Sequence, residues 1–178
     1  YTISGNILKV QSKEVNKVFM AGHNYKYNSG ILKLKEDISR GEFGDLKYIK
    51  LSHLNSGPPR SDMNALWDFA PHFIYTLNFL LDEVPKSVNV NGFKFMSDDL
   101  DDFVNIKFKF SGLTATANCG WIFTDKRMEL MVFGDKKFGI FNDHLKENKL
   151  KYVNKEHKGE FIAIDSKMPL TVEIEHFL

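Results

Sequence analysis

Asp68 and His72 stand four positions apart. On a helix, that spacing puts both side chains on one face, where they can meet one ligand. A carboxylate beside an imidazole raises its basicity and fixes its tautomer, which suits a general acid/base. Both lie in an otherwise apolar stretch, where an unpaired charge is costly. The same spacing also fits a purely structural pair, an acid near a helix start and a buried, hydrogen-bonded histidine. Arg60 sits just upstream, in the stiff loop Gly57-Pro58-Pro59-Arg60, and suits clamping a carboxylate or phosphate. A solvated loop arginine is the alternative. His23, Asn24, Lys26, Tyr27 and Asn28 follow the apolar run Val18 to Gly22. Ligands of parallel α/β sheets sit beyond the carboxyl ends of strands, so this segment reads either as a ligand edge or as a polar linker.

Other chemistry-bearing residues point nowhere sharp. Cys119 alternates into the covered face of a strand and reads as an inert core residue. Asp98, Asp99, Asp101 and Asp102 lack the central glycine and trailing glutamate of a calcium loop and read as a solvated turn. His53, Asp68 and His72 offer three ligands of the type a catalytic zinc takes, but no spacing asks for a metal and none is assigned. No G-x-G-x-x-G, P-loop or G-x-S-x-G occurs.

The elements that must position these residues follow from periodicity. Ile3 to Val15 predicts a helix, and Val18 to Gly22 a strand covered on both faces. Ser29 to Arg40 predicts a helix with Ile31, Leu34 and Ile38 on one face, stopped at Gly41. Leu46 to Leu54 reads as a strand. Asn64 to Leu81 reads as a strongly apolar helix that Pro71 kinks or delays. From Val88 the pattern has period two: Val104, Ile106, Phe108 and Phe110, then Leu113 to Trp121, Met128 to Val132, Phe138 to Phe141 and Leu150 to Val153. Short links between such strands predict an antiparallel meander. Pro169 opens a last helix at its N1 position. The fold class expected is α+β, an open, mostly antiparallel β-sheet with helices packed on one face.

Composition sets the frame. The chain has 178 residues, 43% hydrophobic and 26% charged, which is ordinary globular usage. Its net charge of +1 makes no case for nucleic acid or an anionic membrane. No apolar run approaches the ~18 residues of a transmembrane helix, and no signal peptide is read. One cysteine excludes an intrachain disulfide framework and fits the cytoplasm. Sixteen phenylalanines suit an aromatic core or an interface. The chain starts at Tyr1 without Met and ends at Leu178 inside a predicted helix, so both ends read as cut.

Several segments together resemble the Gfo/Idh/MocA oxidoreductase family. Val18 to Asn28 resembles the strand and crossover that leave its Rossmann domain. Gly41-Glu42-Phe43-Gly44-Asp45-Leu46 is similar to its turn into the substrate domain. Gly57 to His72 resembles its sugar- and nucleotide-sugar-dehydrogenase branch, and Pro169 to Leu178 its late helix. The resemblance implies residues 1–23 as the last helix and strand of a Rossmann domain and 24–178 as the substrate-binding and oligomerisation domain, truncated at its C-terminal helix. It implies hydride transfer between NAD or NADP and a sugar or nucleotide-sugar hydroxyl or carbonyl. His72 would act as acid/base and Asp68 would orient substrate and imidazole. Lys26, Tyr27, Arg60, Asn64 and Trp67 would bind substrate; His23 and Asn24 would meet the cofactor. Homo-oligomers through the sheet are also implied. The family's catalytic lysine and glycine-rich loop have no counterpart in these residues, so the fragment alone is expected to be inactive. Lys26 replaces a usual arginine, and Phe73 follows His72 where aspartate is common. The rival is a non-catalytic assembly or binding subunit using the Phe-rich sheet.

Overall fold

A computed structural model describes residues 15–178. A 3-10 turn at Asn24–Tyr27 leads into α1 (Ser29–Ser39), β1 (Leu46–Ser56) and α2 (Ala65–Leu81). Then come β2 (Ser87–Phe93), β3 (Phe103–Lys109), β4 (Thr114–Gly120), β5 (Ile122–Gly134), β6 (Lys137–Asn142), β7 (Leu150–Asn154), β8 (Gly159–Ile162) and α3 (Pro169–Phe177). The helix expected from Ile3 lies outside the described residues.

Local chemistry explains the helix ends. The Asn28 side chain accepts from the Gly30 amide at 3.0 Å and caps α1. Asn64 accepts from the Trp67 amide at 3.1 Å and caps α2. Pro169 occupies the first turn of α3, where its missing N–H costs nothing. Gly41 and Gly44, at φ of +71° and +69°, make the left-handed turn between α1 and β1 that an L side chain would strain.

The eight strands form one open sheet in the order β2-β3-β4-β1-β5-β6-β7-β8. Every neighbouring pair is antiparallel except β1 with β4. The chain leaves β1 through α2 and returns through the β2-β3 hairpin, so β4 arrives parallel to β1. The sheet is therefore mostly antiparallel, as expected, but it is not a simple meander: β1 sits between β4 and β5. α1 and α2 cover one face. Ile49, Leu51, Val104, Ile106, Phe108, Leu130, Val132 and Phe141 meet Ile31, Leu34, Phe69, Phe73, Leu77 and Leu80 in a continuous core. The small residues Ala115, Ala117 and Cys119 of β4 are fully buried on that side and let α2 come close.

Three local expectations change. Val18 to Gly22 forms no strand: among the described residues no strand lies beside it to supply a ladder, and Val18 is 77% exposed. Pro71 does not delay α2, which starts at Ala65 and runs through it. The aspartate turn is not wholly solvated. Asp102 is fully buried, and its carboxylate accepts the amides of Phe95, Met96 and Ser97. Three amide donors offset the cost of burying that polar group.

Candidate functional site

α2 presents Asp68 and His72 on one face, as their spacing predicts. Asp68 is held from two sides. The Trp121 indole donates to its Oδ2 at 3.2 Å. Arg60 Nη1 lies 3.7 Å from its Oδ1, while Arg60 Nε and Nη2 donate to the two oxygens of Asp62 at 2.8 and 2.6 Å. The guanidinium is thus anchored on its own loop and still faces Asp68.

His72 is half-buried beside aromatic rings. Its ring centroid lies 5.0 Å from Tyr25 and 6.4 Å from His53. Desolvation holds the His72 pKa below its usual value, and the Asp68 carboxylate opposes that shift in part. His72 is therefore neutral near pH 7 and open to receive a proton. His53 on β1 packs 4.4 Å from Phe69. Burial, with His72 and His144 adding positive charge nearby, pushes its pKa down to about 4. Among the described residues, His53 Nδ1 and Tyr25 Oη are buried without a hydrogen-bond partner. Burial raises the Tyr25 phenol, with the Asp143 charge adding to it.

His23 continues the row. Its ring stacks on Tyr75 of α2 at 3.5 Å, and its backbone amide donates to Glu173 of α3 at 2.7 Å. Burial and the His72 charge lower its pKa, while Glu173 opposes. Lys26 Nζ lies 5.8 Å from the rings of Tyr27 and Phe79.

Arg60, Asp68, His72 and His23 thus share one side of α2, with Lys26 near its far end. The other expected residues lie apart. Asn64 spends its side-chain oxygen on the helix cap. Tyr27 turns to Met20 and to the His176 ring of α3. Asn24 is exposed at the head of the 3-10 turn. Trp67, 62% exposed, lines a separate apolar groove of about 220 Å³ with Ile74, Val88 and Val90. Tyr25, Tyr75 and Trp121 join the site without having been expected there. Trp121 had one usable signal, its place in the covered-face alternation running through β4; Tyr25 and Tyr75 had none.

Cys119 is buried, donates weakly to the Ala65 carbonyl at 3.7 Å, and has its thiol pushed up to about 12 by burial. Such a thiol stays protonated and inert. Among the described residues, no three His, Cys, Asp or Glu side chains group closely enough to hold a metal. No helix among them is long and apolar enough to cross a membrane.

The sequence profile of the GFO/IDH/MocA C-terminal domain matches residues 31–138. The chain belongs to the GFO/IDH/MocA family. That match spans α1 through the start of β6 and includes Asp68 and His72. No curated protein matches the chain in sequence. Among solved structures, UDP-N-acetylglucosamine 3-dehydrogenase from Acidithiobacillus ferrooxidans is similar, with a TM-score of 0.81 and 19% identity over 99% of this chain and 56% of that one. An oxidoreductase from Pseudomonas syringae gives 0.76 and 16% over 89% and 45%. Levoglucosan dehydrogenase, complexed with NADH and levoglucosan, gives 0.74 and 17% over 91% and 56%. At these identities the likeness is one of fold. The chain spans about half the length of each of these proteins.

Proposed function

We propose that this GFO/IDH/MocA chain is the substrate-domain part of an NAD(P)-dependent dehydrogenase acting on a sugar or nucleotide sugar. The carrying observation is the Asp68–His72 pair on one face of α2, with the carboxylate fixed by Trp121 and the imidazole kept neutral by burial. Residues 24–178 form the substrate domain and 1–23 the tail of the dinucleotide domain. The single, buried cysteine suits a reducing cytoplasm.

His72 receives the hydroxyl proton as the substrate carbinol is oxidised, and returns it in the reverse direction. Asp68 orients the imidazole and accepts a substrate hydroxyl, and Arg60 adds positive charge at that end. Lys26 serves the other end. Exposed Asn24 and the stacked His23 fit one polar edge of a nicotinamide site beside His72. NAD or NADP, when bound, supplies the hydride acceptor or donor.

The test is nicotinamide turnover by the full-length protein against a panel of sugars and nucleotide sugars. His72→Ala should cut the rate by about 10²- to 10⁴-fold, the usual worth of a general acid/base. An unchanged rate would remove His72 from the reaction.

The open sheet face favours a second property, self-assembly. Phe133 and Phe138 stack on it at 5.8 Å, and Phe93, Phe95, Phe103 and Phe123 cluster near its β2-β3 end. Sedimentation of the full-length protein distinguishes a homo-oligomer from a monomer. A protein that assembles but turns over no nicotinamide would be the assembly subunit instead.

A further inference from the structure

We infer that Trp121 is a positioning residue for Asp68, held in place by the backbone of Asp101 and Asp102. This rests on the reading of Asp68 as part of the substrate site. Trp121 is 5% exposed and lies between β4 and β5, in the sheet layer, whereas the carboxylate it meets is on α2. A buried indole needs a partner for its N–H, and Asp68 Oδ2 at 3.2 Å is that partner.

One short segment fixes both ends of this contact. The Asp101 carbonyl accepts the Ala65 amide at 2.9 Å and so holds the first residue of α2. The next carbonyl, of Asp102, accepts the Trp121 amide at 3.2 Å. The buried Asp102 carboxylate in turn ties that segment to the amides of Phe95, Met96 and Ser97. On the loop before α2, the Gly57 amide donates to the Trp121 carbonyl at 3.2 Å. Helix start, indole and Arg60 loop therefore share one backbone frame. With Oδ2 taken by the indole, Asp68 cannot swing freely about its side-chain bonds, and Oδ1 is left for Arg60 and a substrate hydroxyl.

Trp121→Phe in the full-length protein keeps most of the ring and deletes the N–H. A hydrogen bond to a charged group is worth enough to predict a fall of about tenfold in kcat. Asp68→Ala should lower kcat as well, and adding Trp121→Phe to it should cost nothing further, because the shared interaction is already gone. A factor of the same size in both backgrounds would mean that Trp121 acts only through packing, and would overturn the proposal. An independent reading needs no activity and no change at Trp121. The nitrogen-labelled indole resonance of Trp121 should move in Asp68→Ala; an unmoved resonance also overturns it. If the resonance moves but Asp68→Ala leaves kcat intact, the hydrogen bond is real, and it is the placing of Asp68 in the reaction that fails, taking the positioning role with it.

Discussion

The two halves of α2 have opposite characters. From Phe73 onward the helix is chiefly packing, although Tyr75 on its other side stacks on His23. Phe73, Leu77 and Leu80 are 3%, 0% and 1% exposed and lie against the covered sheet face. From Ala65 to His72 it also buries apolar residues, but it carries a carboxylate and an imidazole among them. Each of those is managed differently: Asp68 by an indole and a guanidinium, His72 by giving up its charge. One helix thus anchors itself at its far end and holds chemistry near its start. Packing at Leu77 holds the helix in the fold, while Asp68 and His72 are kept in place by neighbours of their own, Trp121 and Arg60 for the one and Tyr25 for the other.

Leu77→Ala should break the packing half with the largest effect. A fully buried leucine removed to alanine costs about 2–5 kcal/mol, read as a shift in the urea midpoint. Turnover per folded molecule should stay unchanged, in contrast to His72→Ala. A Leu77→Ala protein that is stable but inactive would show that the two halves are not separable.

Acid should weaken the other half. The folded pKa of His53 is depressed, so the unfolded chain binds the extra proton. Stability is then fully present above the ordinary imidazole value of 6.5 and falls as the pH drops from there to about 4. His23 and His72 shift in the same direction and add to the loss. His53→Leu also removes a buried unpartnered nitrogen. It should flatten the acid side of the thermal midpoint against pH. A curve that keeps its full slope in His53→Leu would assign the acid loss to other groups.

Much of this contrast was legible in the sequence because it is local. The period of Phe69, Phe73, Leu77 and Leu80 marks the buried face, and four residues separate Asp68 from His72 whatever the rest of the chain does. What could not be read is pairing at a distance. β1 inserts between β4 and β5, although nothing near Leu46 to Ser56 names those neighbours. Trp121 meets Asp68 across fifty-three residues. The strand Gly159–Ile162 is an almost wholly exposed sheet edge, so it shows no apolar alternation to find. Val18 to Gly22 fails for the converse reason, an apolar run with no strand beside it among the described residues. Asp102 looked like one more surface aspartate, since its burial depends on three amides that only the folded loop brings together.

Asn64 tests whether the start of α2 is held by its cap as well as by the Asp101 carbonyl. Asn64→Ala removes the acceptor of the Trp67 amide and should cost about 1 kcal/mol in urea unfolding. Because the Ala65 amide keeps its bond to Asp101, the helix should still begin at the same place, and turnover should fall little. A large loss of activity with that small loss of stability would mean that Asn64 touches substrate as well as capping the helix.

The smallest effect is the most specific to the site. In a pH profile of kcat/KM, the acid limb should report His72 losing its role as it protonates. Burial places that limb below the ordinary imidazole value, and the Asp68 carboxylate pulls it part of the way back up by favouring the imidazolium. Asp68→Asn keeps the size and an oxygen for Trp121 while deleting the charge. The upward pull is then gone and burial is unopposed, so the acid limb should move to still lower pH, whatever happens to the plateau rate. A limb that moves upward would require the substitution to open His72 to water. A limb that does not move would mean that the carboxylate and the imidazole share a helix face without sharing a reaction.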